Sequence, residues 1–134
     1  MHDGRTRKVE IESANRRGEF LERHRATLTL VSGSEAGAEW PLEGVRTLAG
    51  RSSKALIQIE DASVSAEHAA FEVCESGFGV RDLASTNGVR VNGKEVLSAL
   101  LEHGDRVRLG DCELQYVVEA RERPVKVWSV DSEA

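Results

Sequence analysis

Apolar residues in this chain come in short alternating runs. In "ATLTLVSG", Leu28 and Leu30 alternate with Thr27 and Thr29 before the run stops at Gly33. Period two places alternate side chains on opposite faces, so this run reads as a strand with one buried face. Similar runs follow: "AEWPL" around Trp40, "VRTLAG", "ALIQI", "AAFEVC", "FGVRDL", "VRV", "RVRLG" and "CELQYVVEA", with "VKVWSV" after Pro124. Turn residues separate them, among them Gly33-Ser34, Gly44, Ser76-Gly77, His103-Gly104-Asp105 and Gly110-Asp111. Many short strands punctuated by Gly, Asn and Asp predict an all-β fold, a sandwich or a barrel. Only "EVLSALLEHG" has helical character. It reads equally as an apolar loop that lays Leu97, Leu100 and Leu101 on a sheet edge.

Within "DLASTNGVRVNG" two Asn-Gly pairs, Asn87-Gly88 and Asn92-Gly93, enclose a strand as short as Val89–Val91. Asn-Gly is the strongest short hairpin signal, because both residues tolerate positive φ. Ser85 and Thr86 stand at the mouth of the first pair. A turn does not require two hydroxyls there, whereas a ligand would use them.

Composition narrows the class. A length of 134 residues suits one compact domain whose core needs no disulfide staples. Cys74 and Cys112 form no CxxC pattern and read as buried free thiols, not as a metal pair. The net charge of −5 argues against general nucleic-acid binding but permits a local basic pocket. No apolar run is long enough to span a membrane, and "MHDGRTRKVE" lacks the apolar core of a secretory signal, so a cytoplasmic location is expected. Residues 1–25 hold seven Arg/Lys and five acids and read as a charged flexible tail, with a helical turn near Glu19–His24. The domain proper then covers 26–120, and 121–134 forms a C-terminal strand or tail extension. Trp40 and Trp128 read as partial core or edge cover.

Four clusters carry candidate chemistry: Gly50-Arg51-Ser52-Ser53, Val64-Ser65-Ala66-Glu67-His68, Ser85-Thr86-Asn87-Gly88 and His103-Gly104-Asp105 with Gly110. Loops of a sandwich gather at its ends. If the first three share one end, they assemble an Arg, several hydroxyls and an amide, a set that donates hydrogen bonds to a tetrahedral anion. In this order and spacing, GR, SxxH, STNG and GDxVxLG resemble the forkhead-associated (FHA) domain over about Ala26 to Ala120. The resemblance implies an eleven-strand β-sandwich of two antiparallel sheets that binds phosphothreonine peptides through loops at one end. It assigns the phosphate to Arg51, Ser65 and Thr86 and the peptide backbone to Asn87. His68 becomes a structural brace, with Gly50, Ser52, Ser85 and Gly88 in support. Arg suits the phosphate role because its guanidinium fork matches phosphate geometry and stays charged. Gly50 is expected to allow close backbone approach to the ligand or an unusual φ.

The implied activity is phosphothreonine-dependent protein binding, an adaptor role downstream of a Ser/Thr protein kinase, with no catalysis, no cofactor and no metal. A Ser65–His68 nucleophile pair is the enzymatic rival, but it lacks a GxSxG elbow. A phosphate-independent or self-associating interaction module is the second reading. A third is autoregulation, in which a site such as Thr6 in the tail folds back onto the pocket. The match departs from the family at Ala66, where Arg, Lys or Asn is common; Lys54 is a candidate replacement charge. Asp61–Val64 contains no base, so no strong preference for an acidic residue three positions after the phosphothreonine is expected.

Overall fold

A computed structural model describes residues 18–122. The expected tail over residues 1–17, including Thr6, and the "VKVWSV" strand lie outside the described residues. Eleven strands form two sheets. The six-stranded sheet has the order β2-β1-β11-β10-β7-β8, built from β1 (His24–Leu30), β2 (Glu39–Pro41), β7 (Val89–Val91), β8 (Lys94–Val96), β10 (Arg106–Leu109) and β11 (Cys112–Ala120). The five-stranded sheet has the order β4-β3-β5-β6-β9, built from β3 (Arg46–Gly50), β4 (Ile57–Gln58), β5 (Ala69–Cys74), β6 (Gly77–Asp82) and β9 (Ser98–Leu100). The chain is thus the expected all-β sandwich. Its pairings are antiparallel except β3 with β4, which run parallel.

The alternation in the sequence is the alternation of burial. Ala26, Leu28 and Leu30 face the core while Thr27 and Thr29 do not. Leu28 pairs with Tyr116, and both are fully buried. From the other sheet Phe71, Phe78 and Val80 complete the interior. Tyr116 carries the one hydroxyl among these large core side chains. Its oxygen accepts the Phe78 backbone N–H at 3.0 Å, which spares the buried amide a desolvation cost. Burial pushes the Tyr116 hydroxyl pKa up.

Several elements differ from expectation, each for a local reason. "EVLSALLEHG" is neither helix nor loop; it supplies β8 and β9. Of its leucines only Leu101 is buried, whereas Leu97 is 81% and Leu100 65% exposed. The Asn92-Gly93 pair makes the two-residue hairpin between β7 and β8, with φ of 53° and 86°. The Asn87-Gly88 pair makes no hairpin. It lies in the loop that carries the chain from β6 in one sheet to β7 in the other, so only Gly88 has positive φ. At the N-terminal side, residues 18–23 form one helical stretch and β1 starts at His24, two positions before Ala26. Phe20 and Leu21 from that stretch join the core.

Replacing Tyr116 by Phe removes the hydroxyl that accepts the buried Phe78 N–H. The Y116F protein should keep its far-UV circular dichroism and lose about 1–3 kcal/mol of stability. Urea unfolding, read as a shift of midpoint at constant slope, checks this.

Candidate functional site

Loops 51–56, 59–68 and 83–88 gather at one end of the sandwich. Register places them there: Ala49 pairs with Ala69, and Ala69 with Asp82, so β3, β5 and β6 open into loops at the same level. Three direct ties fix the first two of these loops to one another. The Arg51 backbone N–H donates to the Ser65 carbonyl at 2.9 Å, and Ser52 N–H to Ala66 carbonyl at 3.1 Å. The Arg51 Nε donates to the Val64 carbonyl at 3.0 Å. That bond orients the guanidinium and leaves both Nη groups without a protein partner among the described residues.

Gly50 has a different reason from the expected one. Its φ is not positive, and the close neighbour is the protein itself. A Cβ at this position would stand 2.1 Å from the Ala66 carbonyl oxygen and 3.0 Å from that of Ser65. Gly50 therefore lets β3 touch the loop that carries Ser65.

His68 is fully buried and both ring nitrogens bind backbone. Nδ1 accepts the Ser65 N–H at 3.0 Å, and Nε2 donates to the Gly88 carbonyl at 2.8 Å. An accepting Nδ1 fixes the proton on Nε2. The imidazole thus joins the Ser65 and Gly88 loops from beneath. It does not face the Ser65 hydroxyl, so the pair is not arranged as nucleophile and base. The Ser65 Oγ instead accepts the Thr86 N–H at 3.1 Å and retains its own proton to donate.

The third loop closes on itself around Ser85. Its N–H donates to Asp82 Oδ1 at 3.1 Å, and its Oγ accepts the Gly88 N–H at 2.9 Å. Ala84 sits at φ 57°, in the left-handed region, at the start of this turn. Ser85 therefore faces inward while Thr86 and Asn87 are exposed. The Asn87 amide donates to the Ser63 carbonyl at 2.8 Å, and its Oδ1 has no partner among the described residues. Ser52 Oγ accepts the Lys54 N–H at 3.0 Å, an arrangement internal to its own turn.

Sequence reading missed Ser63. Its Oγ donates to Asp61 Oδ1 at 2.7 Å and accepts the Asp111 N–H at 2.8 Å, while its own N–H reaches the same Asp61 oxygen at 2.9 Å. Its carbonyl holds Asn87. Gly110 packs so close that a Cβ there would lie 2.3 Å from the Ser63 carbonyl oxygen. The Asp-x-Ser spacing, a local side-chain turn, was the available signal. The two bonds from Ser63 hold the Asp61 carboxyl below its ordinary pKa. Burial, and then the neighbouring Asp61, push the Cys112 thiol up to about 11.

Two outcomes follow from these ties. Asp61 has its pKa lowered by folding, so its contribution is complete above its unfolded value of about 3.9 and vanishes as pH falls through the folded value. Asp61→Asn should flatten the acid limb of a stability-versus-pH curve below about pH 4 and leave the neutral region level. Removing the His68 imidazole strands a buried N–H and C=O and opens a cavity. His68→Ala should cost on the order of 3 kcal/mol in urea unfolding.

Comparison with known proteins agrees with this architecture. The FHA domain family model matches residues 47–110. The chain is 37% identical over 92 residues to the glycogen accumulation regulator GarA of Mycobacterium tuberculosis, covering 69% of this chain and 57% of GarA. It thus spans little more than half the length of that relative. It is 32% identical over 97 residues to the oxoglutarate dehydrogenase inhibitor of Corynebacterium jeikeium, covering 72% and 67%. A solved structure from a study of phosphothreonine-dependent FHA domain interactions superposes with a TM-score of 0.65 at 32% identity, covering 69% of this chain and 95% of that one. The FhaA FHA domain, solved in complex with the intracellular domain of Rv3910, gives a TM-score of 0.63 at 33% identity over 68% and 98%. With its eleven strands, its braced loops and these relatives, the chain belongs to the FHA domain family.

Proposed function

We propose that this protein binds phosphothreonine-containing proteins through the loops around Arg51 and so acts as an adaptor downstream of a Ser/Thr protein kinase. One observation carries the reading. Among the described residues, the network uses the backbone-facing half of each candidate residue and leaves the other half unspent: the Arg51 Nη groups, the Ser65 hydroxyl proton, the Thr86 hydroxyl and the Asn87 Oδ1. These groups stand on three loops tied together, so little ordering entropy remains to oppose binding. A phosphate brings −1.5 to −2 charges and strong acceptors to such a donor set. Arg51, Ser65 and Thr86 meet the phosphate, and Asn87 meets the peptide backbone. His68, Gly50, Ser52, Ser85 and Gly88 hold the loops in place.

Two relatives are named as regulators or inhibitors, which supports a role in controlling another protein through binding, without catalysis. An enzyme whose activity changes on binding is therefore a fitting partner. Membrane insertion is not part of the reading; no helix among the described residues is long and apolar enough to cross a bilayer.

Fluorescence anisotropy with a degenerate phosphothreonine peptide pool tests the reading against phosphoserine and unphosphorylated pools. The expected affinity is about micromolar, or −8 kcal/mol. Arg51→Ala should weaken it by about 1.5–3 kcal/mol, more than tenfold. Binding should also fall as pH drops below about 6, where the phosphate loses its second charge. Equal binding of unphosphorylated peptide, or full binding by R51A, would sink the proposal and favour a phosphate-independent interface.

A further inference from the structure

Asparagine followed by glycine is among the least durable pairs in a protein chain. With no Cβ in the way, the glycine nitrogen can reach the carbonyl carbon of the asparagine side chain. Two such pairs, Asn87-Gly88 and Asn92-Gly93, stand in this chain, and both asparagines are exposed. The fold restrains them by different means.

At Asn92 the carbon under attack is held. Its Nδ2 donates to Asp105 Oδ1 at 3.0 Å, and its Oδ1 accepts the Arg106 N–H at 3.0 Å. The Asn92 N–H donates to the Arg106 carbonyl at 2.8 Å, so backbone and side chain are both fastened to the start of β10. The bond to the Asp105 carboxylate is charge-assisted. The Gly93 N–H has no partner among the described residues, but the side chain turns toward it only by breaking both of its own bonds.

At Asn87 the attacking nitrogen is held instead. The Gly88 N–H donates to Ser85 Oγ at 2.9 Å, which keeps its proton from solvent base. The Asn87 side chain is tethered by one atom, Nδ2 on the Ser63 carbonyl. No charge strengthens either bond, and a serine hydroxyl rotates readily. Asn87 carries the weaker lock.

We propose that Asn87-Gly88 is a site of spontaneous deamidation gated by the Ser85 hydroxyl, while Asn92-Gly93 is shielded. The Gly88 nitrogen loses its proton to hydroxide and attacks Asn87 Cγ. An N–Cγ bond forms, the Cγ–Nδ2 bond breaks, and Nδ2 leaves as ammonia with a proton taken from water. Water then opens the cyclic imide at either carbonyl, giving aspartate or isoaspartate at position 87. Both products are ionised at neutral pH. Each lacks the donor that held the Ser63 carbonyl and sets a carboxylate against it. Isoaspartate also adds a carbon to the main chain just before Gly88, whose carbonyl accepts the His68 Nε2–H. The reaction therefore unfastens loop 83–88 from loop 59–68 and from the imidazole beneath. The inference is independent of the phosphate reading.

The test incubates the full chain at mildly alkaline pH and follows the peptides that carry positions 87 and 92 by mass spectrometry, with isoaspartate counted by enzymatic methylation. Conversion of amide to acid should run about tenfold faster at Asn87 than at Asn92. Ser85→Ala should hasten it by about two- to tenfold, the factor to which one hydrogen bond's net worth corresponds. Ser85→Thr keeps the hydroxyl and should keep the slow rate. Asp105→Ala should open Asn92 to the reaction and leave Asn87 unchanged. In the aged protein the Ser65 and Thr86 amides, which donate to His68 Nδ1 and Ser65 Oγ, should exchange hydrogen faster than in fresh protein. None of these readouts uses a phosphopeptide, so this proposal and the phosphothreonine reading fail separately. Asn92 reacting as fast as Asn87, or equal rates at Asn87 with and without the Ser85 hydroxyl, overturns the proposal. Deamidated protein whose Ser65 and Thr86 amides exchange as slowly as before overturns it as well.

Discussion

The buried imidazole of His68 is the contact on which the candidate-site end of the molecule depends. Loops beyond the strand ends have no ladder to hold them, and their backbone polar groups still require partners. One ring, donating with one nitrogen and accepting with the other, satisfies a group from each of two loops. A hydrocarbon side chain of the same size would fill the space and leave two buried groups unmet. The serine hydroxyl that follows from this arrangement is presented outward because its backbone is already fixed from below.

Around that brace the site is built by close approach. Gly50 and Gly110 both stand where a Cβ would intrude on a neighbouring carbonyl oxygen, at 2.1 Å and 2.3 Å. Both glycines permit loops from different strands to touch by backbone. Ser63 then connects the second loop to the β10–β11 turn through Asp111 and to the third loop through Asn87. Specific hydrogen bonds here replace the apolar burial that orders the rest of the sandwich, and they leave the surface polar.

The strands of the core were legible because burial follows period two along β1, β10 and most of β11, and because Gly or Asn marks several of their ends. Candidate ligand residues were legible from their order along the chain. The β8–β9 segment was not. Its leucines at 97, 100 and 101 suggest one apolar face, yet three-residue strands are too short to show a period, and two of those leucines point to solvent. Asn87-Gly88 misled in a different way. The dipeptide specifies local φ, and hairpin or sheet crossing is decided by where the next strand finds its partner. Ser63 escaped notice because its importance lies in contacts 24 and 48 residues away, which no local pattern encodes.

The bond between Arg121 N–H and the Arg23 carbonyl places the two ends of the described fold side by side. Such geometry makes the unit a graftable cassette. It can be spliced into a surface loop of a host protein, or its ends joined and new ones cut elsewhere, without stretching the host or crossing the ligand loops. A sensor built this way would leave its candidate-site loops projecting outward while the host is strained or relaxed only through a single narrow attachment.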